Sequence, residues 1–304
     1  MSKFFKALEQ AELDRALREP GLPKPPGIRR AEPEPASELP TGPRDGVEQH
    51  LVSLLTPASF EAEQYRALRH LVEHLRKTAN LCIVAVSSPS VKEGKTTTAI
   101  NLAGALSQAP DARVLLIDAD LRQSSLMDFL GFGGSGGHGL VDAILHPHLT
   151  LDDVVQDCPP FNLSVLPAGR RPSAPYEILK SPRLGELLAE ARRRYDYIVL
   201  DTPPVLHVPD CRVIGKWVDG FLMVVDAHHT PQKLVDEALK LLDPTKVVGL
   251  VFNRDDHPIS EPYHAYHGAR EGDGSQWWGR AVKQVGASLL GRSERFGTRR
   301  ASER

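Results

Sequence analysis

The sequence predicts an α/β fold, a mostly parallel sheet flanked by helices, on three observations. Six short apolar runs recur along the chain, helical patterns separate them, and the first run leads straight into a glycine-lysine-threonine turn that opens a helix. The runs are LCIVAV (81–86), RVLLID (113–118), NLSVLP (162–167), YDYIVLD (195–201), GFLMVVD (220–226) and KVVGLVF (246–252). They are nearly continuous in apolar residues rather than alternating, the pattern of strands covered on both faces.

Each remaining element follows in chain order. The first 19 residues hold a helical pattern with Phe4, Phe5, Leu8 and Ala11 on one face. Its balanced charge leaves two readings open, a partner-docking helix or a frayed end. Residues 20–46 are proline-rich and poor in apolar side chains, and read as an extended, disordered linker. Residues 1–50 are therefore set apart from a folded domain over 51–255. That domain opens with a helix over 60–77, where Tyr65, Leu68, Leu71, Val72 and Leu75 form a stripe of period 3.6. The glycine-rich segment 131–139 has no strand before it and reads as a loop, not a dinucleotide fingerprint. After Asn253 the alternation stops, and 256–304 reads as a flexible tail. Within it Trp278, Val282, Val285 and Leu289 share a helical face, either an interfacial segment or a tail that is only transiently helical.

Composition excludes several classes. The net charge of −2 gives no global attraction to nucleic acid or to a membrane surface. The three cysteines, Cys82, Cys158 and Cys211, show no metal-binding or redox spacing. No apolar stretch approaches the ~18 residues that span a bilayer, and the expectation is a cytoplasmic protein.

The chemistry concentrates at SSPSVKEGKTTTAINLA, residues 87–103. A tight loop between a strand and a helix turns backbone N–H groups toward the helix N-terminus, where anions are favoured. Glu93, Gly94, Lys95, Thr96 and Thr97 form the nucleotide-contacting part. Gly94 allows close backbone approach, Lys95 reaches the β- and γ-phosphates, and the Thr96 hydroxyl faces Mg²⁺. Acidic partners stand at the carboxyl ends of two further strands, Asp118 and Asp120 in VLLIDADLR and Asp201 in YDYIVLDTPP. Strand ends of this kind converge on the crevice where open α/β sheets bind ligands. The reading is a P-loop NTPase fold using ATP and Mg²⁺.

With these motifs in place, the chain resembles the bacterial tyrosine kinases, cytoplasmic P-loop autokinases of capsule and exopolysaccharide assembly. The loop, VLLIDADLRQSSL and YDYIVLDTPP carry the resemblance. So does EQYRALR, whose Glu63, Arg66 and Arg69 match the EX₂RX₂R pattern through which the family forms rings. The segment GRRPSAPYEILKSPR (169–183) is also similar, with Ala174 where asparagine is usual.

The resemblance implies a protein-tyrosine autokinase that regulates exopolysaccharide synthesis and export. Lys95, Asp118 and Asp120 would be catalytic, with Asp118 the first choice of base, and Thr96, Asp120 and Asp201 would hold the metal. It also implies a transmembrane co-polymerase partner that recruits the chain to the inner membrane face, other tyrosine substrates, and no nucleic-acid partner. Tyr263 and Tyr266 are the tail's candidate phosphoacceptors, fewer than the family's usual cluster. Nearby His257, His264 and His267 read as solvated or, alternatively, metal-binding. Arg122 either steadies transferred charge or forms a local ion pair, and Asn253 either contacts the base or shapes a turn.

Val91-Lys92 replaces the family's usual Pro-Gly, which limits positive φ there. Two other functions compete: a non-catalytic nucleotide-dependent regulator, and a partitioning-type ATPase. The latter carries a signature lysine five residues before the catalytic one, where this chain has Ser90.

Overall fold

Each of the six apolar runs contains a strand, because a run of β-branched and leucine side chains satisfies a sheet face on both sides. The computed structural model describes residues 47–133, 137–159 and 161–255, all within one unit of the chain, 42–304. The N-terminal helix, the linker, the tail, Tyr263, Tyr266 and the three tail histidines lie outside the described residues.

In chain order the elements are α1 (Val52–Leu55), α2 (Phe60–Ala79), β1 (Ile83–Ser87), α3 (Lys95–Ser107), β2 (Val114–Asp118) and α4 (Leu126–Phe129). Then come α5 (Leu140–Leu145), α6 (Leu151–Val154), β3 (Gln156–Asp157), β4 (Ser164–Leu166), α7 (Pro175–Lys180) and α8 (Pro182–Arg194). The last are β5 (Tyr197–Asp201), α9 (Asp210–Ile214), β6 (Gly220–Asp226), α10 (Gln232–Lys240), a 3₁₀ turn (Pro244–Lys246) and β7 (Val247–Asn253). The strands form one sheet in the order β3-β4-β2-β5-β1-β6-β7, parallel throughout except for β3. That two-residue edge strand has no apolar run of its own, which is why periodicity does not find it.

Register decides where the chemistry falls. Asp118 on β2 is paired with Asp201 on β5, and Asp226 on β6 with Asn253 on β7. β1 lies between β5 and β6, so its outgoing loop emerges in the middle of this polar row. Such a central strand is buried on both faces, and β1, β2 and β6 are buried along their whole length.

The helix after the loop is buried nearly all round, Thr96 and Thr98–Ser107 included, as expected of a helix walled in by sheet and neighbouring helices. Asn101 on this helix ties the N-terminal segment down. Its Oδ1 accepts from Ser53 N at 2.8 Å, and its Nδ2 donates to His50 O at 2.8 Å. α2 runs two residues beyond the predicted end. Ser59 caps it, accepting from Ala62 N at 3.2 Å, and Asn80 stops it in the left-handed conformation, φ 56°. Among the described residues, no helix is long and apolar enough to cross a membrane.

Candidate functional site

The loop from Ser88 to Gly94 is braced from below rather than by its own turns alone. Glu93, whose side chain is buried, accepts from Ser90 N at 3.1 Å and from the Thr230 hydroxyl at 2.6 Å. Burial raises its pKa, with the Thr230 and Ser90 hydrogen bonds opposing. Asn253 Nδ2 donates to the Glu93 carbonyl at 2.9 Å. Both residues, named from sequence beside the nucleotide with a turn-shaping role left open for Asn253, hold the loop's shape in the structure. Gly94 is indispensable beside them: its φ is 89°, and a Cβ there would lie 2.0 Å from Asn253 Nδ2.

Lys92 takes φ 63°, the left-handed conformation that its lack of glycine should disfavour. The loop keeps the shape that glycine would adopt freely, at a strain of about 1–2 kcal/mol.

Lys95 and Thr96 open α3 and meet the acidic residues at once. Lys95 Nζ lies 3.2 Å from Asp120 Oδ2, and Thr96 Oγ1 donates to Asp201 Oδ2 at 2.7 Å. Asp120 Oδ1 accepts from Gln123 N at 3.1 Å. Asp118 accepts from Asp120 N at 3.1 Å and from the Ser124 hydroxyl at 2.7 Å. Its carboxyl is raised to about 6, chiefly by burial, with Ser124 opposing and Asp120 adding.

Asp201 is the most stressed group in the site. Burial pushes it up to about 7, Lys95 opposes and Asp118 adds, and its Oδ1 is buried with no hydrogen-bond partner. A buried carboxylate with one orphaned oxygen, beside a threonine hydroxyl and a second carboxylate, is a donor set of hard oxygens. That chemistry fits Mg²⁺, which takes one or two carboxylates and completes its shell with water and phosphate.

Above these groups opens a cleft of about 840 Å³. One wall is the loop and the start of α3; the others include Leu121–Ser125 and Ala168–Arg171. A smaller recess of about 330 Å³ adjoins it between Ser90–Glu93 and Asp226–Thr230. Arg122, whose role the sequence leaves open, makes a bidentate pair with the fully buried Asp210 on α9, at 2.9 and 3.0 Å. The sequence-predicted triplet Glu63, Arg66 and Arg69 lies on α2, and its members have different partners within the chain. Glu63 and Arg66 pair with each other, whereas Arg69 pairs with Glu73 at 2.6 Å and donates to Ala105 O at 3.0 Å.

Sequence reasoning missed Asp226, Thr230 and Asp210. Asp226 carries the same signal that found Asp201, an aspartate closing an apolar strand. It accepts from Arg254 at 2.6 Å and pairs with His229 at 2.9 Å. Thr230 and Asp210 carry no such signal.

Residues 83–214 match the family model of the AAA domain. The chain is 31% identical over 209 residues to the tyrosine-protein kinase YwqD of Bacillus subtilis, covering 68% of this chain and 86% of that protein. It is 31% identical over 208 residues to the tyrosine-protein kinase wzc of Salmonella typhi, again 68% of this chain, but spans only 28% of that longer protein. The kinase domain of the Escherichia coli tyrosine kinase ETK superposes with a TM-score of 0.61 at 30% identity, over 70% of this chain and 84% of that one.

Proposed function

Because the chain belongs to the bacterial tyrosine kinase family, we propose that it is an ATP- and Mg²⁺-dependent protein-tyrosine autokinase serving capsule or exopolysaccharide assembly. One observation carries the reading: Lys95 meets Asp120, two residues past the end of β2, and Thr96 meets Asp201 at the end of β5, whose other oxygen is orphaned.

Gly94 and the amides opening α3 would cradle the phosphates, and Lys95 would move from Asp120 to the β- and γ-oxygens. Thr96, Asp120 and Asp201 would hold Mg²⁺, which supplies charge neutralisation at the transferring phosphoryl group. The acceptor tyrosine's oxygen attacks the γ-phosphorus, the bond to the β-phosphate oxygen breaks, and ADP leaves. Asp118 takes the phenolic proton, reached from the cleft through Ser124, which lines the cleft and bonds to it. The Arg122–Asp210 pair holds a guanidinium on the cleft wall, where it would steady the transferred charge.

Domain limits of 1–50, 51–255 and 256–304, acceptors at Tyr263 and Tyr266, and recruitment to the inner membrane face by a transmembrane co-polymerase complete the proposal. The test is labelled ATP and Mg²⁺ with pure protein, with and without the partner's cytoplasmic segment. Phosphotyrosine should appear and fall about 10³-fold in Lys95→Met; none in either condition favours the non-catalytic regulator. The partitioning reading has no support in Ser90, which bonds to Glu93 rather than offering a second cation.

A ring of copies would use Glu63, Arg66 and Arg69, the first two after exchanging their mutual pair for contacts across subunits. Light scattering on Arg66→Ala with Arg69→Ala should show the mass of a monomer; an unchanged large species refutes the ring.

A further inference from the structure

The cleft is electrostatically one-sided. Six of its lining residues are cations, Lys92, Lys95, Arg122, Arg170, Arg171 and Arg254, and none is a carboxylate. Four of the six are committed: Lys95 to Asp120, Arg122 to Asp210, Arg170 to Asp142 at 3.2 Å, and Arg254 to Asp226. Lys92 and Arg171 have no hydrogen-bond or ion-pair partner among the described residues, and both are exposed. They sit on different walls, Lys92 on the phosphate-binding loop and Arg171 on the loop between β4 and α7.

Neither position is loosely held. The second loop is anchored where Leu140 N donates to Pro167 O at 2.8 Å and Val141 N to Ala168 O at 3.0 Å. It then turns at Gly169, φ 79°, packed so closely on Gly139 that a Cβ on Gly139 would meet Gly169 N at 2.3 Å. Asp142 pairs with Arg170 just after this turn, and both Arg170 and the next residue, Arg171, line the cleft. The left-handed conformation of Lys92 sets its position in the same way. Two cations held over a cleft with no partner among the described residues ask for an anion from a segment outside them or from another molecule.

We infer that Lys92 and Arg171 are the acceptor-specificity residues of this site, and that they select tyrosines flanked by aspartate and glutamate. The inference rests on the kinase reading, because an acceptor is what must enter between these two walls. The phosphate groups have their own ligands in Gly94, Lys95 and the start of α3, which leaves Arg171, across the cleft, to meet the segment that carries the tyrosine. Charge complementarity names that segment's chemistry. The chain's own candidate acceptors are such a sequence: Asp255, Asp256 and Glu261 precede Tyr263, and Glu271 and Asp273 follow Tyr266.

Two synthetic peptides test this, one copying residues 255–273 and one with its acidic residues replaced by Asn and Gln. With full-length protein, ADP and Mg²⁺, fluorescence anisotropy should show the acidic peptide binding roughly fivefold to tenfold tighter at low salt. The difference should shrink as salt rises. Arg171→Gln, and separately Lys92→Gln, should remove most of the preference while ATP affinity changes less than twofold. Equal binding of the two peptides overturns the inference, as does a preference that survives both variants. A loss that falls on ATP instead assigns the two cations to the nucleotide and also overturns it. If the preference holds but neither peptide is phosphorylated from ATP, the acidic-segment site stands and the kinase reading fails.

Discussion

β5 and β6 each carry an aspartate at both ends, and on β5 the two ends have opposite fates. At the amino ends, Asp196 and Asp219 immediately precede the strands and are fully served. Asp196 accepts from Arg113 at 3.1 Å and pairs with Arg76 at 3.1 Å, and its pKa falls, chiefly through the Arg113 hydrogen bond. Asp219 accepts from Cys82 N at 2.9 Å, Ile83 N at 2.8 Å and Arg192 at 2.7 Å. Burial alone would raise it, but Arg192 and the two amides outweigh burial and its pKa is lowered. At the carboxyl end of β5, Asp201 is buried more deeply, is raised to about 7 and keeps an orphaned oxygen. Its counterpart on β6, Asp226, is paired with Arg254 and His229. On β5 the same residue type thus stabilises the fold at one end and offers a free oxygen to a ligand at the other, whereas on β6 both aspartates are paired. The arginines that serve Asp196 and the lack of any for Asp201 among the described residues make the difference on β5.

Substitution should separate the two ends. Asp219→Asn strands Arg192 and weakens the bonds that lock β1 to β6, and should destabilise the protein by about 2 kcal/mol in urea unfolding. Because its folded pKa is depressed, the stabilisation from Asp219 is present above the unfolded value of 3.8. It is lost as pH falls below that through the folded value, and the variant should lack this acid limb. A variant within 0.5 kcal/mol of the parent, by the usual scatter of surface changes, would mean that the amino end is not where stability resides.

Asp201→Asn should do the reverse, leaving the Mg²⁺-free fold unchanged or more stable by about 1 kcal/mol. Here the folded pKa is raised, so the folded protein holds a proton between pH 3.8 and about 7 that the unfolded chain has released. Stability from this group therefore falls as pH rises across that window. Thermal melts with and without Mg²⁺ and ADP check this: the parent should gain stability from the metal above pH 7, and the variant should not. The smallest effect belongs to Lys92→Gly. It removes left-handed strain but adds chain entropy to the unfolded state, for a net gain of roughly 0.5 kcal/mol. A loss of stability on calorimetry would show that the Lys92 side chain contributes contacts that outweigh its strain.

Legibility from sequence followed the range of the physics. Strand runs and terminal aspartates depend on side-chain type within a few residues, and Lys95, Thr96, Asp118, Asp120 and Asp201 all converge as read. The triplet Glu63, Arg66 and Arg69 shows where local spacing stops being enough. Three charges at intervals of three share a helix flank, but α3 lies against one end of that flank and draws Arg69 to the Ala105 carbonyl. Asn253 reads from sequence as either a base contact or a turn former, and only the fold shows that its amide reaches the phosphate-binding loop's backbone.

The sequence by itself determined the alternation of strands and helices, the phosphate-binding turn and the acidic residues that close β2 and β5, because period, composition and turn chemistry act locally. Only the tertiary structure decided that β5 lies between β1 and β2, which brings Asp201 beside both Thr96 and Asp118. It alone decided that Thr230 braces Glu93 from 137 residues away and that Asp210 engages Arg122 from 88. Those pairings are set by strand order and helix packing, and no short-range pattern encodes which distant partner a charge will meet.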